Sequence, residues 1–214
     1  RRISSAASDV YKRQIPANKA LAYNASLKYV LLEINDNKNF IDRKIVIAKD
    51  LIEPFKKDTS IENIKVLNEF LGKDLKGTIC SHPFSKMGYD YDIPMLEANF
   101  VTTEQGTGIV HCAPSHGPDD FNLCLNNNIK AIETVDGDGK YTNEIKHFEG
   151  LHIFKANNLI IEKLNEQKNL VTNGKLTHSY PHSWRSKAPL VHRATPQWFI
   201  SMESHGLRDK ALKA

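Results

Sequence analysis

Cysteine is scarce in this chain. Of its 214 residues only three are cysteines, Cys80, Cys112 and Cys124, and no two of them have Cys-x-x-Cys spacing. An odd number of scattered cysteines argues against a disulfide framework and indicates a reducing compartment, which we expect to be the cytoplasm. The same scatter provides no paired ligands of the kind that zinc needs, so we predict that the chain has no metal site.

Long apolar runs and a strong charge of one sign are also absent. No stretch approaches the ~20 apolar residues that a membrane-spanning helix needs, so we expect no membrane partner. The 29 Lys and Arg residues exceed the 25 Asp and Glu residues by a net charge of only +4. This balance is compatible with a nucleic-acid partner but does not by itself indicate one.

The first fourteen residues differ from the rest. Their sequence, RRISSAASDVYKRQ, is polar and basic, without hydrophobic periodicity and without the apolar centre of a signal peptide. An Arg- and Ser-rich transit peptide is the alternative interpretation. We predict that residues 1–14 are a non-native or disordered tail, and an authentic reading frame continuing upstream would contradict this.

The segment with the most chemistry is residues 106–120, GTGIVHCAPSHGPDD. Glycine and proline interrupt it throughout, so it must be a shaped loop that follows a strand and leads into a helix. His111 and Asp120 supply an imidazole and a carboxylate, which suggests a small pocket for a cationic group. The alternative is a structural strand-turn-helix in which Asp119 or Asp120 serves the helix start. A dinucleotide loop is excluded, because His111 occupies the position of the third glycine.

Local patterns predict several further elements. Strands are expected at residues 27–34, 44–48, 76–81 and 131–135, with a polar turn at 35–39. Helices are expected after Asp50, which we predict to be the N-cap of a capping box with Glu53, after Pro118, and over residues 156–168. Residues 61–71 mix two periodicities and receive no assignment. These elements predict an α+β domain with a twisted, barrel-like sheet and a few peripheral helices.

Two further segments allow a binding interpretation. Residues 136–139, Asp-Gly-Asp-Gly, resemble the start of a calcium loop, but position 147 is histidine where such a loop needs glutamate, so a tight turn is predicted. From Lys175 onward the chain is basic, aromatic and strand-like. Its aromatic and cationic side chains suit either base stacking and phosphate binding or packing of a ribbon against a neighbouring domain.

The motif in residues 106–120 is similar to the signature of the editing domain of isoleucyl-tRNA synthetases, which are class I synthetases. Related valyl and leucyl enzymes carry a similar glycine-rich strand, but usually with another residue at the position of His111. The similarity continues, in the order of the family, through the segments IPANKALA (15–22), IVIAKDLIE (45–53), GLHIFKAN (150–157), HSYPHSWR (178–185) and RATPQWFISM (193–202).

The resemblance implies a division of the chain and a set of roles. Residues 15–177 would form the editing domain, and residues 178–214 a strand ribbon leading back to a catalytic domain. Asp120 would bind the α-ammonium of the substrate, while His111 would limit side-chain size. Gly106, Thr107 and Gly108 would approach the terminal adenosine or the ester. The implied substrate is tRNA(Ile) carrying misattached valine, which a positioned water would hydrolyse without a cofactor.

Two features of the family are missing from these residues. The ATP- and Mg²⁺-using part of a class I synthetase carries HIGH-like and KMSKS-like signatures, and neither occurs here, so we do not expect this segment to activate an amino acid. The family also has a threonine-rich segment ending in Trp-Thr just before the counterpart of Ile15. The resemblance implies that this segment helps to hold the terminal adenosine and the water, and we expect the fold to tolerate its replacement. A non-catalytic tRNA-binding module that uses Arg185 and Arg193 is the competing hypothesis.

Overall fold

The computed structural model describes residues 3–5, 11–35, 44–104, 106–174 and 179–214. Within these residues, eight strands alternate irregularly with four α-helices. The strands are β1 (Ile3–Ser5), β2 (Ala20–Tyr23), β3 (Lys28–Ile34), β4 (Lys44–Ala48), β5 (Ile64–Leu71), β6 (Ile79–Ser81), β7 (Asp92–Glu97) and β8 (Ile109–Cys112). The helices are α1 (Ile52–Thr59), α2 (Pro118–Asn126), α3 (Asn157–Glu166) and α4 (Leu207–Lys213). Short 3₁₀ turns occupy Lys12–Ala17, Lys49–Leu51, Gly72–Leu75, Ser85–Met87, Ile153–Lys155 and Ser204–Gly206.

The strands form two four-stranded sheets, with the orders β1-β4-β3-β5 and β6-β7-β2-β8. The pairs β1–β4 and β2–β7 are parallel, and the other pairs are antiparallel. The predicted α+β class is therefore confirmed. No helix in the described part of the chain has both the length and the apolar character to cross a membrane.

Apolar side chains on one face of each sheet fill the space between the two sheets. Residues of both sheets form what we call the inner cluster, which comprises Leu21, Tyr23, Tyr29, Val46, Ala48, Leu51, Leu75, Ile93, Met95 and Ile109. The intervening residues of β3 and β4 pack on the opposite face with Phe55 of α1. Those of β2 and β8 pack with Cys124 of α2. Strands β2, β3, β4 and β8 are thus buried on two faces, because successive side chains of a strand point to opposite sides.

A second core lies beside the sheets. This lateral cluster joins the turn before β2, the end of β8, the loops after α2, and α3. Its buried members are Ala17, Phe84, Tyr89, Ala113, Val135, Tyr141, Ile145, Phe148, Ile153, Ala156, Ile160 and Leu164. Among these, Ala156, Ile160 and Leu164 form the apolar stripe that predicted α3.

The segment 61–71 mixes periods because its strand contains a β-bulge. β5 pairs with β3 in a register that shifts between Leu31 and Leu32. Its less exposed residues are consequently Ile64, Leu67 and Phe70, which lie three positions apart. A bulge inserts one residue into a strand and thereby breaks the alternation, which makes a strand resemble a helix in sequence.

Two local predictions are wrong. Asp50 does not cap a helix, because it lies within the 3₁₀ turn Lys49–Leu51, and α1 begins after it without any side-chain cap. Residues 131–135 do not form a strand, since Val135 makes only an isolated bridge with Tyr141. The carbonyls of Ile132 and Glu133 are satisfied by Ser115 and Thr142 hydroxyls instead of by a neighbouring strand.

The basic aromatic segment is also not a strand ribbon within the described residues 179–214. It contains one isolated bridge, between His182 and Pro189, and the short helix α4. The side chain of Trp184 is 78% exposed, so it does not lie on the half-buried face that a packed ribbon would have. The predicted division of the chain at residue 178 lies outside the described residues and stays a prediction. The same holds for most of the predicted turn at 35–39.

Candidate functional site

His111 occupies the third position of β8, whose pairing with β2 sets its direction. In that register His111 lies opposite Leu21, and Ile109 lies opposite Tyr23. Because side chains alternate along a strand, His111 leaves β8 on the face of the inner cluster, whereas Cys112 leaves on the opposite face. His111 is only 7% exposed. A rigid, buried imidazole at this point is suited to the role of a wall.

Asp120 lies in the first turn of α2 and holds this helix against the end of β8. Its Oδ2 accepts a hydrogen bond of 2.8 Å from the backbone N–H of Ala113, two residues after His111. Neither Asp119 nor Asp120 caps the helix, since the N-cap is Gly117 and no side chain bonds there. The structure therefore brings the Asp120 carboxylate to the end of the strand that carries His111.

Gly106, Thr107 and Gly108 lie at the other end of β8. The carbonyl of Thr107 accepts the N–H of Ala48 at 2.8 Å, and the carbonyl of Gly108 accepts the Tyr29 hydroxyl at 2.7 Å. These bonds join β8 to the first sheet. The structure does not gather the three residues around Asp120, because the four residues of β8 separate them and extend over about 13 Å.

We expect Gly108→Ala to destabilise the fold by about 2–4 kcal/mol. Gly108 has φ +73, and an added Cβ would lie 2.5 Å from the Cβ of Ala48. Gly77→Ala is the matched control, because Gly77 has φ +80 with open space around it, and it should cost only about 1 kcal/mol. Urea unfolding of both variants measures the difference. Equal losses would show that the contact with Ala48 has no energetic importance.

The site includes two residues that sequence reasoning did not assign a role. The chain passes from the lateral cluster at Ala17 to the inner cluster at Leu21, and Asn18 and Lys19 lie at this crossing. Asn18 is 4% exposed, and its side-chain Oδ1 has no hydrogen-bond partner among the described residues. Buried acceptors are rarely left unpaired, so the Asn18 Oδ1 is a candidate acceptor for a donor from outside the described residues. The IPANKALA segment was the available signal.

His82 and His116 join His111 as buried histidines near the crossing. The Nδ1 of His82 accepts the N–H of Phe84 at 3.0 Å, and the ring stacks on Tyr89 with a centroid distance of 4.6 Å. The Nε2 of His116 lies 2.9 Å from the Thr134 hydroxyl. Burial lowers the pKa of His82 to about 3 and that of His116 to about 4, and the charge of His111 contributes to both. Both rings are therefore neutral at pH 7.

This burial predicts that the free energy of unfolding falls in acid. In the folded chain the pKa values of His82 and His116 lie below the ordinary value of 6.5. Between these values the unfolded chain therefore binds protons that the folded chain does not bind. The contribution of the two neutral histidines to the free energy of unfolding is fully present above about pH 6.5. It decreases as the pH falls toward 4, by up to about 1.4 kcal/mol per pH unit for each histidine. Urea unfolding between pH 7.5 and 4.5 measures the slope, and a flat profile would contradict the assignment. His182→Gln, at an exposed histidine, is the control.

The structure supports an inert role for Cys112. The thiol is fully buried, and burial raises its pKa well above the ordinary range, with the charge of Asp120 acting in the same direction. A thiol that remains protonated is a poor nucleophile. Within the described residues, no group of three or more His, Cys, Asp or Glu side chains is arranged to hold a metal ion.

Comparison with known proteins identifies the family. The family model described as "Leucyl-tRNA synthetase, editing domain" matches residues 32–173, which is more than half of the chain. The chain therefore belongs to this family of synthetase editing domains.

The most informative relatives are isoleucine–tRNA ligases, as the motifs predicted. The chain is 72% identical over 200 residues to the ligase of Pelagibacter ubique and 44% identical over 216 residues to that of Gluconobacter oxydans. In both cases the match covers 94% of this chain but only 22% of the relative. The chain thus spans about a fifth of the length of the relatives that it matches.

Solved structures agree on the fold. The crystal structure of GlLeuRS-CP1 has a TM-score of 0.64 at 13% identity and covers 82% of this chain and 85% of that chain. The editing domain of the P. falciparum cytosolic leucyl-tRNA synthetase has a TM-score of 0.59 at 10% identity, with 78% of each chain covered. At these sequence identities the comparison establishes the fold alone. The structural similarity confirms the predicted editing-domain architecture.

Proposed function

We propose that this domain hydrolyses the ester bond of tRNA(Ile) that carries valine by mistake. The observation that carries the proposal is the juxtaposition of the Asp120 carboxylate with the strand end that bears the buried His111. A carboxylate held by a backbone N–H and a rigid imidazole can together bind an ammonium group and limit what extends from it.

The reason for such a site is the small difference between two amino acids. Valine lacks one methylene of isoleucine, and a binding pocket discriminates a single methylene by only about 1–3 kcal/mol, a limit for which isoleucyl-tRNA synthetase is the standard example. A second site that hydrolyses the smaller product removes the errors. Such a site excludes isoleucine by overpacking, which rigid walls make costly.

The roles that we assign are these. Asp120 binds the substrate's α-ammonium, and His111 is the wall that admits the valine side chain and excludes isoleucine. The Asn18 amide oxygen accepts a hydrogen bond from a hydroxyl or ammonium of the substrate. Water is the nucleophile, since Cys112 remains a protonated thiol and is unsuitable.

The editing reaction as proposed needs no cofactor. ATP and Mg²⁺ would serve the amino-acid-activating part of the whole synthetase, which together with tRNA(Ile) would be the partner of this domain in the cytoplasm. Gly106, Thr107 and Gly108 keep a predicted role toward the terminal adenosine or the ester. The bonds of Gly108 to Tyr29 and of Thr107 to Ala48 would then fix the end of β8 from which that contact is made.

Release of free valine from valyl-tRNA(Ile) tests the proposal. The chain is incubated with the charged tRNA, and acid-precipitable valine is followed with time beside a no-protein control. Faster loss of valine with the chain supports the editing function. Binding of the tRNA at micromolar concentration without any release, also after addition of the threonine-rich segment, would reject it.

The RNA-binding alternative has one observation in its favour. Trp184 is 78% exposed, and the guanidinium of Arg185 lies 5.0 Å from its ring centroid, an arrangement suited to stacking on a base. Arg193 is a weaker candidate, because it already pairs with Glu133 at 3.1 Å. Arg185→Ala should abolish tRNA binding if this alternative is correct, and should leave the hydrolysis rate of bound substrate unchanged if it is not.

A further inference from the structure

Lys19 lies where the two hydrophobic clusters meet. It follows Ala17 of the lateral cluster and precedes Leu21 of the inner cluster. The Tyr91 ring packs against both clusters, and the Lys19 ammonium lies 3.7 Å from the centroid of this ring. The Tyr91 hydroxyl donates to the carbonyl of Asn18 at 3.1 Å and so fixes the ring beneath the ammonium.

The same side chain extends toward the candidate site. Lys19 donates its backbone N–H at 2.9 Å to the carbonyl of Cys112, the residue that β8 pairs with Ala20. The ring beneath the Lys19 ammonium, Tyr91, packs against the inner cluster, and His111 leaves β8 on the face of that cluster. The positive charge of Lys19 also helps to depress the pKa of His82.

The Lys19 ammonium is held in place by the Tyr91 ring. Among the described residues no carboxylate forms a salt bridge with Lys19, although the charge of Glu144 acts on it from farther away. Burial lowers the pKa of Lys19, which reflects the partial loss of its hydration. A lysine that loses water without gaining an anion is unfavourable in the free protein, and an arriving anion would relieve this cost.

We propose that Lys19 binds a backbone phosphate of the RNA strand whose 3′ end enters the candidate site. A lysine recognises phosphate as a compact point charge, and RNA supplies a phosphate one nucleotide away from the ester that the site would cleave. Lys19 contacts the substrate at a distance from the reacting bond, so it contributes to binding and not to the chemical step. This inference rests on the proposed function for the identity of the RNA.

The test is the salt dependence of binding to uncharged tRNA(Ile). The Kd is measured by fluorescence anisotropy between 50 mM and 400 mM KCl for the wild-type chain and for Lys19→Gln. Losing one phosphate contact lowers the slope of log Kd against log salt by about 0.7 and weakens binding by about 5-fold at 0.1 M salt. Lys19→Arg should keep the slope, since it keeps the charge. The control Lys73→Gln changes an exposed lysine on the turn Gly72–Leu75 and should behave as wild type.

A purely structural cation–π contact gives a different result. Lys19→Gln would then melt at a lower temperature with the salt slope unchanged, and this outcome would overturn the proposal, as would failure of the wild-type chain to bind tRNA. The results distinguish failure of the Lys19 proposal from failure of the proposed hydrolytic function. A Lys19-dependent slope without release of valine would retain the phosphate contact and reject the hydrolytic function.

Discussion

Asp120→Asn is expected to reduce kcat/KM for valyl-tRNA(Ile) hydrolysis by about 10- to 150-fold. The asparagine oxygen can still accept the N–H of Ala113, so the tie between α2 and β8 is retained while the negative charge is lost. A hydrogen bond to a charged partner contributes about 1.5–3 kcal/mol. Because about 1.4 kcal/mol corresponds to a tenfold change, this range gives the expected decrease in kcat/KM. Initial rates of valine release measure it.

A matched pair of variants and substrates isolates the charge. Asp119→Asn removes an adjacent, exposed carboxylate from the same helical turn and should leave the rate unchanged. N-acetyl-valyl-tRNA(Ile), which lacks the α-ammonium, should be a poor substrate for the wild-type chain, and Asp120→Asn should slow its hydrolysis no further. A wild-type rate that does not depend on the ammonium would remove Asp120 from its assigned role.

His111→Ala is expected to abolish most of the discrimination between valine and isoleucine. The imidazole is 7% exposed on the face of the inner cluster, so its removal opens space where the longer side chain would lie. Since one methylene in a hydrophobic pocket corresponds to about 10- to 200-fold in specificity, the ratio of kcat/KM for valyl- over isoleucyl-tRNA(Ile) should fall by at least about 10-fold. The measurement compares both charged tRNAs at equal concentration.

His111→Gln is the control for size, because glutamine nearly restores the lost volume and should retain much of the ratio. Thermal unfolding of both variants shows whether the fold persists, as a cavity alone costs stability. If His111→Ala slows both substrates equally, the imidazole acts on the ester or the water instead of on the side chain.

Helices α2 and α3 and the β3–β4 hairpin were predictable because their signals are local. Proline at the start of α2 and the four-residue repeat of Ala156, Ile160 and Leu164 each reside within one short segment. β3 and β4 have the uninterrupted apolar character of strands buried on both faces. β5 was not assigned, because the bulge that breaks its alternation is created by its pairing with β3.

The site was only partly predictable for a related reason. His111 and Asp120 stood out since one unusual segment contains both. Asn18 and Lys19 belong to a segment of ordinary composition, and their importance arises only when β2 pairs with β8 and brings them to the junction of the two clusters. Thr107 and Gly108 of the same motif proved to be bonded to Ala48 and Tyr29 at the far end of β8, which no spacing in the sequence indicates.

The central claim is that this domain removes valine, and not isoleucine, from tRNA(Ile). The most direct measurement is the ratio of the two deacylation rates, made with the chain alone and with the family's threonine-rich segment restored before Ile15. We expect valine to be released faster than isoleucine by at least about 10-fold, with the restored chain the more active of the two. Equal rates for both amino acids in the restored chain, or no release of either, would contradict it.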